Sequence, residues 1–113
     1  MPTSLLYAPP HQGHEETPVE VIRAESWRQG ISPKLPLFVA QRESGMDPHV
    51  KDSVTGDKGI YQLSRHTVKV LHISDPYDVH QASIAGVGLL AWGLNHCGSE
   101  DAALRFYAKG SCK

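Results

Sequence analysis

Apolar residues keep helical spacing in the first half of this chain, lose it in the middle, and become nearly continuous later. Thr17-Pro18-Val19-Glu20 carries a capping-box signature with proline at the first helical position, which predicts a helix from Pro18 to about Gln29, stopped by Gly30. Ser32-Pro33 repeats the start signal and predicts a second helix over 33–44, with Pro36 tolerated in its first turn. Within it Leu35, Val39 and Glu43 are spaced by four and share one face. The first two mark that face as directed to the core, so Glu43 continues an apolar stripe at the helix's end.

Residues 46–63 break this pattern. Pro48, Gly56 and Gly59 interrupt helix, while Val50, Val54, Ile60 and Tyr61 suit short strand pieces, and a small irregular β flap is expected. Ser64 predicts the cap of a short helix through Leu71, and Asp78 the cap of a long one from Val79 to Cys97. That long segment is apolar almost all round, as befits a helix in the middle of a domain. Its Gly86, Gly88 and Gly93 are costly in a helix interior, which points to close approach by neighbouring backbone. A last helix is expected over 100–109, with acidic Glu100 and Asp101 at its start and Gly110 as its stop. Residues 1–16, rich in proline, histidine and glycine, read as an extended N-terminal arm before a single domain at 17–113.

Composition narrows the function classes. With 113 residues, one domain with one core is expected. Apolar residues make up 40% and charged residues 20%, ordinary for a soluble globular chain. A net charge of −1 gives no basic footprint for nucleic acid and no field to hold the protein on an anionic membrane. No run approaches the ~18 apolar residues of a membrane span. The start, Met1 to Pro10, lacks the positive region of a signal peptide, so if the target lies outside the cytoplasm the protein is expected to reach it by another route. The seven histidines match no zinc spacing, His11-Gln12-Gly13-His14-Glu15 included, and neither a metal nor a cofactor is expected. Cys97 and Cys112 are predicted to be free thiols. A helix of about ten residues between them rises ~15 Å, beyond the ~7 Å a disulfide tolerates unless the tail folds back.

The candidate chemistry centres on Glu43. Partial burial and the negative end of a helix dipole both favour the neutral form of a carboxyl group, the form a general acid must hold. Around it, Glu43-Ser44, Pro48, Ser53-x-x-Gly56, Gly59-Ile60-Tyr61-Gln62 and Asp75-Pro76-Tyr77-Asp78 follow at ordered intervals. They continue into Ile84-Ala85-Gly86, Leu90 and Phe106-Tyr107-Ala108-Lys109-Gly110. Over roughly residues 18–110 this resembles the catalytic domain of the soluble lytic transglycosylases, a murein-cleaving family of the lysozyme-like superfamily.

The resemblance implies an α+β, mainly α, lysozyme-like fold with a small β flap and a substrate cleft. It implies Glu43 as the catalytic residue, with Ser44, Ser53, Tyr61, Gln62 and Tyr107 binding the glycan. The expected reaction cleaves the β-1,4 bond between N-acetylmuramic acid and N-acetylglucosamine without water, leaving a 1,6-anhydro ring. The expected partner is a peptidoglycan strand in the bacterial cell wall. Without a leader, delivery by a phage particle or release on lysis is expected, with phage tail or virion proteins as further partners. Three departures stand out. Ala108 replaces the usual asparagine beside the tyrosine and removes a polar group from the neighbourhood of Tyr107. Ile60-Tyr61 replaces Leu-Met, and Asp57 adds a carboxylate after Gly56. Two other readings remain open at this point: a hydrolytic lysozyme with Asp57 as second carboxylate, or a non-catalytic murein-binding component of a phage particle.

Overall fold

A computed structural model describes residues 15–113, so most of the expected 1–16 arm, with its His11 and His14, lies outside the described residues. Five helices follow one another: α1 (Pro18–Arg28), α2 (Lys34–Ser44), α3 (Arg65–Val70), α4 (Val79–Cys97) and α5 (Glu100–Lys109). Most boundaries have a local cause. The Thr17 hydroxyl accepts from Glu20 N at 3.2 Å while Glu20 accepts from Thr17 N at 2.7 Å, completing the capping box. Ser64, Asp78 and Ser99 cap α3, α4 and α5 through their side chains. α2, α4 and α5 end on left-handed glycines at 45, 98 and 110. The predicted helices therefore stand within about a residue of their expected bounds.

α4 is the axis of the fold and lies against α1, α2 and α5. The core gathers Ile22 from α1, Leu35 and Val39 from α2, and Ala82, Ala85 and Leu90 from α4. Ala103 from α5 and Ile60, Tyr61 and Leu63 from the loop complete it. Two of the α4 glycines explain themselves. A Cβ on Gly93 would lie 3.2 Å from Ala103 Cα, the backbone approach expected of it. A Cβ on Gly86 would lie 2.4 Å from the Tyr61 ring, so here the close neighbour is a side chain. Among the described residues, no helix is long and apolar enough to cross a membrane.

Two expectations need correction. The 46–63 segment contains no strand. It is looped, with isolated antiparallel bridges Lys51–Lys58 and Lys58–Leu63. Its backbone groups are shared between short backbone pairs, such as Gly59 N to Val50 O at 2.8 Å and Lys58 N to Leu63 O at 3.1 Å, and side chains: Asp47 accepts from His49 N at 2.8 Å, and Asp52 from Val54 N and Thr55 N at 2.8 and 2.9 Å. Nor are the cysteines free: Cys97 and Cys112 form a disulfide, with alpha carbons 5.4 Å apart. Helix α5 does separate them, but Gly110 turns left-handed and the tail doubles back, held by a 3.0 Å hydrogen bond from Arg105 Nε to the Cys112 carbonyl.

Candidate active site

Glu43 sits in the last turn of α2, as the stripe predicted. Leu35 and Val39 below it are buried, and about 27% of its side chain remains exposed. The Arg42 guanidinium lies 3.2 Å from Glu43 Oε2 and 5.7 Å from the centre of the Phe38 ring. Sequence reasoning missed Arg42, because neighbours i and i+1 on a helix do not ordinarily face each other. The pair is solvent-facing and is worth about 1 kcal/mol or less, so an incoming ligand can displace it cheaply.

The Gly59–Gln62 turn reaches back to this helix end. Ser44 Oγ lies 2.8 Å from the Ile60 carbonyl and 3.1 Å from that of Ala40, and its single proton serves them both. The next carbonyl along, that of Tyr61, accepts from the Tyr107 hydroxyl at 2.7 Å. Two successive peptide carbonyls thus join the end of α2 to α5. The turn itself is tightly fitted. A Cβ on Gly59, whose φ is +83°, would lie 2.1 Å from the Pro76 carbonyl oxygen, so only glycine fits. Gln62 adopts a left-handed φ of 50°, uncommon for any residue but glycine, and its amide donates to Val50 O at 3.1 Å and Gly59 O at 2.9 Å.

The predicted site residues therefore separate. Ser44 and Tyr107 meet on the turn, Glu43 stands one residue before Ser44, and Gln62 ties the loop to itself. Burial pushes the Tyr107 hydroxyl well above its ordinary range; the carboxylate of Glu43 adds to the effect, as do Tyr61 and Asp57, while Arg42 opposes it. Ser53 is exposed on the turn that Asp52 caps, with no hydrogen bond to the rest of this set among the described residues. Tyr61 departs furthest from expectation. It is fully buried, and its hydroxyl donates to the Pro36 carbonyl at 2.8 Å, so its side chain presents nothing to a glycan. Burial raises its hydroxyl too. Ala108 is exposed, and the support for Tyr107 comes from the Tyr61 carbonyl instead.

An apolar groove of about 510 Å³, bounded by Ile73, Ile84, Leu89, Trp92 and Phe106, contains none of these residues. Its lining offers a sugar few polar partners. Among the described residues, no group of three or more histidine, cysteine or acidic side chains is placed to hold a metal.

Residues 20–113 match the family model of the transglycosylase SLT domain. The chain belongs to this family. The SLT domain here is also similar to a protein named "Transglycosylase" from Enterobacteria phage PRD1, 34% identical over 92 residues. That stretch is 81% of this chain and 34% of the relative, so the chain spans about a third of the length of the curated protein it matches. The mainly helical arrangement agrees with the lysozyme-like fold implied for an SLT domain, with a looped segment where strands were expected.

Proposed function

We propose that this protein cleaves the glycan strands of peptidoglycan as a lytic transglycosylase, with Glu43 as its one catalytic acid and base. The observation that carries the reading is the placement of Glu43. It is a mostly covered carboxylate at the end of a core-facing helix stripe, one residue before Ser44, whose hydroxyl is bonded to the same turn that accepts from the Tyr107 hydroxyl. Membership of the SLT family and the phage relative's name support the same chemistry.

In this mechanism the strand enters beside α2 and displaces Arg42 from Glu43. The protonated Glu43 donates its proton to the glycosidic oxygen as the bond to the muramic anomeric carbon breaks. The substrate's N-acetyl oxygen shares the positive charge developing at that carbon. Glu43, now a carboxylate, removes the proton from the 6-hydroxyl of the same sugar, and that oxygen bonds to the anomeric carbon. The proton count closes: Glu43 ends protonated, the leaving sugar carries a free 4-hydroxyl, and no water is consumed. Tyr107, its own proton donated to the Tyr61 carbonyl, fixes the wall opposite Glu43 rather than moving a proton.

Mass spectrometry of the products from purified murein tests this. The expected result is 1,6-anhydro muramic ends from the wild type and at least a hundredfold less product from Glu43→Gln. Asp57, the extra carboxylate after Gly56, leaves a second reading to test. Reducing ends that depend on Asp57 would favour hydrolysis with two carboxylates. A folded protein that binds murein without any Glu43-dependent product would favour a binding component. Delivery by a phage particle belongs to the same proposal, and the phage origin of the relative supports it.

A further inference from the structure

The turn that joins Glu43's helix to Tyr107's helix has to be held in place by something. Its two carbonyls are committed outward, Ile60 O to Ser44 and Tyr61 O to Tyr107. Its own anchor is the Tyr61 side chain. That ring fills the space left by the missing Cβ of Gly86 on α4, and its hydroxyl reaches the Pro36 carbonyl in the first turn of α2. One residue therefore touches α2 at its start and α4 at its middle, and through its carbonyl it touches α5. Ser44, bonded one peptide earlier, brings in the far end of α2 beside Glu43.

We propose that Tyr61 is a positioning residue for the cleavage reaction: its two side-chain anchors fix the carbonyls that tie the Glu43 end of α2, through Ser44, to Tyr107 on α5. The proposal rests on the reading of Glu43 as the catalytic acid. A residue that merely filled space would need no hydroxyl. Leucine or methionine could occupy much of the ring's volume, but neither can donate to Pro36 O. The geometry at stake is small in distance and large in effect, since misplacing a catalytic group by about 1 Å can cost two orders of magnitude in rate.

Tyr61→Phe keeps the ring and removes one anchor; Tyr61→Leu removes the hydroxyl and the ring. Both variants, in the full chain, are to be compared for kcat and KM on purified murein and for exchange of the Tyr107 hydroxyl proton by NMR. Tyr61→Phe is expected to lose about tenfold in kcat with KM within about twofold, and Tyr61→Leu to lose more. The Tyr107 proton is expected to exchange at least about tenfold faster in both, because its acceptor carbonyl is no longer held. Full kcat in Tyr61→Phe together with unchanged exchange at Tyr107 would reduce Tyr61 to a packing residue, even if the melting temperature fell. Should Tyr61→Leu fail to fold, Tyr61→Phe decides alone. Should the wild type release no Glu43-dependent product, the catalytic reading fails separately. The exchange of the Tyr107 proton then decides whether Tyr61 holds the turn: faster exchange supports that role and unchanged exchange overturns it.

Discussion

The helices and the 46–63 loop are held together by different physics. α4 and α5 meet through small residues and apolar surface, with Gly93 against Ala103 and a disulfide closing the end. The loop has few apolar anchors of its own, chiefly Ile60, Tyr61 and Leu63, and otherwise hangs on scattered hydrogen bonds, some between backbone groups and some from side chain to backbone. Apolar packing contributes roughly 25 cal/mol for each Å² removed from water, whereas one exposed hydrogen bond nets about 1 kcal/mol or less. The helical half should therefore set global stability and the loop should set local geometry, with Tyr61 as the seam between them.

The strongest test of that division removes the disulfide. It closes a 15-residue separation, and the chain-entropy argument gives about 3 kcal/mol for a loop of that size. Cys97→Ser with Cys112→Ser, or reduction of the wild type, is expected to lower Tm by roughly 10–20 °C in calorimetry. The hydrogen bonds of the loop should be unaffected below the transition. Loss of loop protection well below the global melt would show that the two regions are not separable in this way.

The seam itself is tested by Gly86→Ala. Alanine in a helix interior gains about 1 kcal/mol over glycine from propensity alone. Here the new Cβ would meet the Tyr61 ring at 2.4 Å, and that ring cannot swing aside while its hydroxyl is bonded to Pro36 O. Overpacking at such a site costs about 1–3 kcal/mol, so the net change is expected to be destabilising, read by urea unfolding. In a Tyr61→Leu background the same substitution should cost less, or turn favourable. Equal costs in the two backgrounds would mean that ring and glycine are not coupled.

These residues also mark where the sequence was readable. Thr17, Ser64 and Asp78 announced helix starts because capping is chemistry between residues three apart. The place of Glu43 at the end of α2 was legible because a spacing of four carries the core face of that helix directly to it. The β-branched residues of the loop, Val50 and Val54 among them, suggested short strand pieces, and the structure has isolated antiparallel bridges in their place. Asp47, Asp52 and Gln62 take up several backbone groups that a longer ladder would have used, through turns with no periodic signal. Tyr61 looked like a cleft residue because the glycine that makes room for it lies 25 positions later, on another element. The disulfide was missed for a related reason. Ten helical residues set a true distance, but the left-handed turn at Gly110 sends the tail back along it.

The smallest expected effect belongs to the loop alone. Hydrogen bonds from the Thr55 and Val54 backbone N–H groups hold the Asp52 carboxyl below its ordinary value of 3.8. A depressed carboxyl contributes order that is fully present above the unfolded value and is lost as pH falls through the lower folded value. Between pH 5 and 8 the 52–55 turn should thus be indifferent to pH, and it should loosen only below about 3.8. The amide shifts of Val54 and Thr55, followed by NMR from pH 6 downward, are expected to move together there while those of α4 stay fixed. In Asp52→Asn the side-chain oxygen can still accept both bonds but cannot titrate, so this acid step should vanish with the turn intact. If α4 moved in the same step, the loop would be part of the cooperative core rather than a locally tied segment, and the contrast between the two regions would fail.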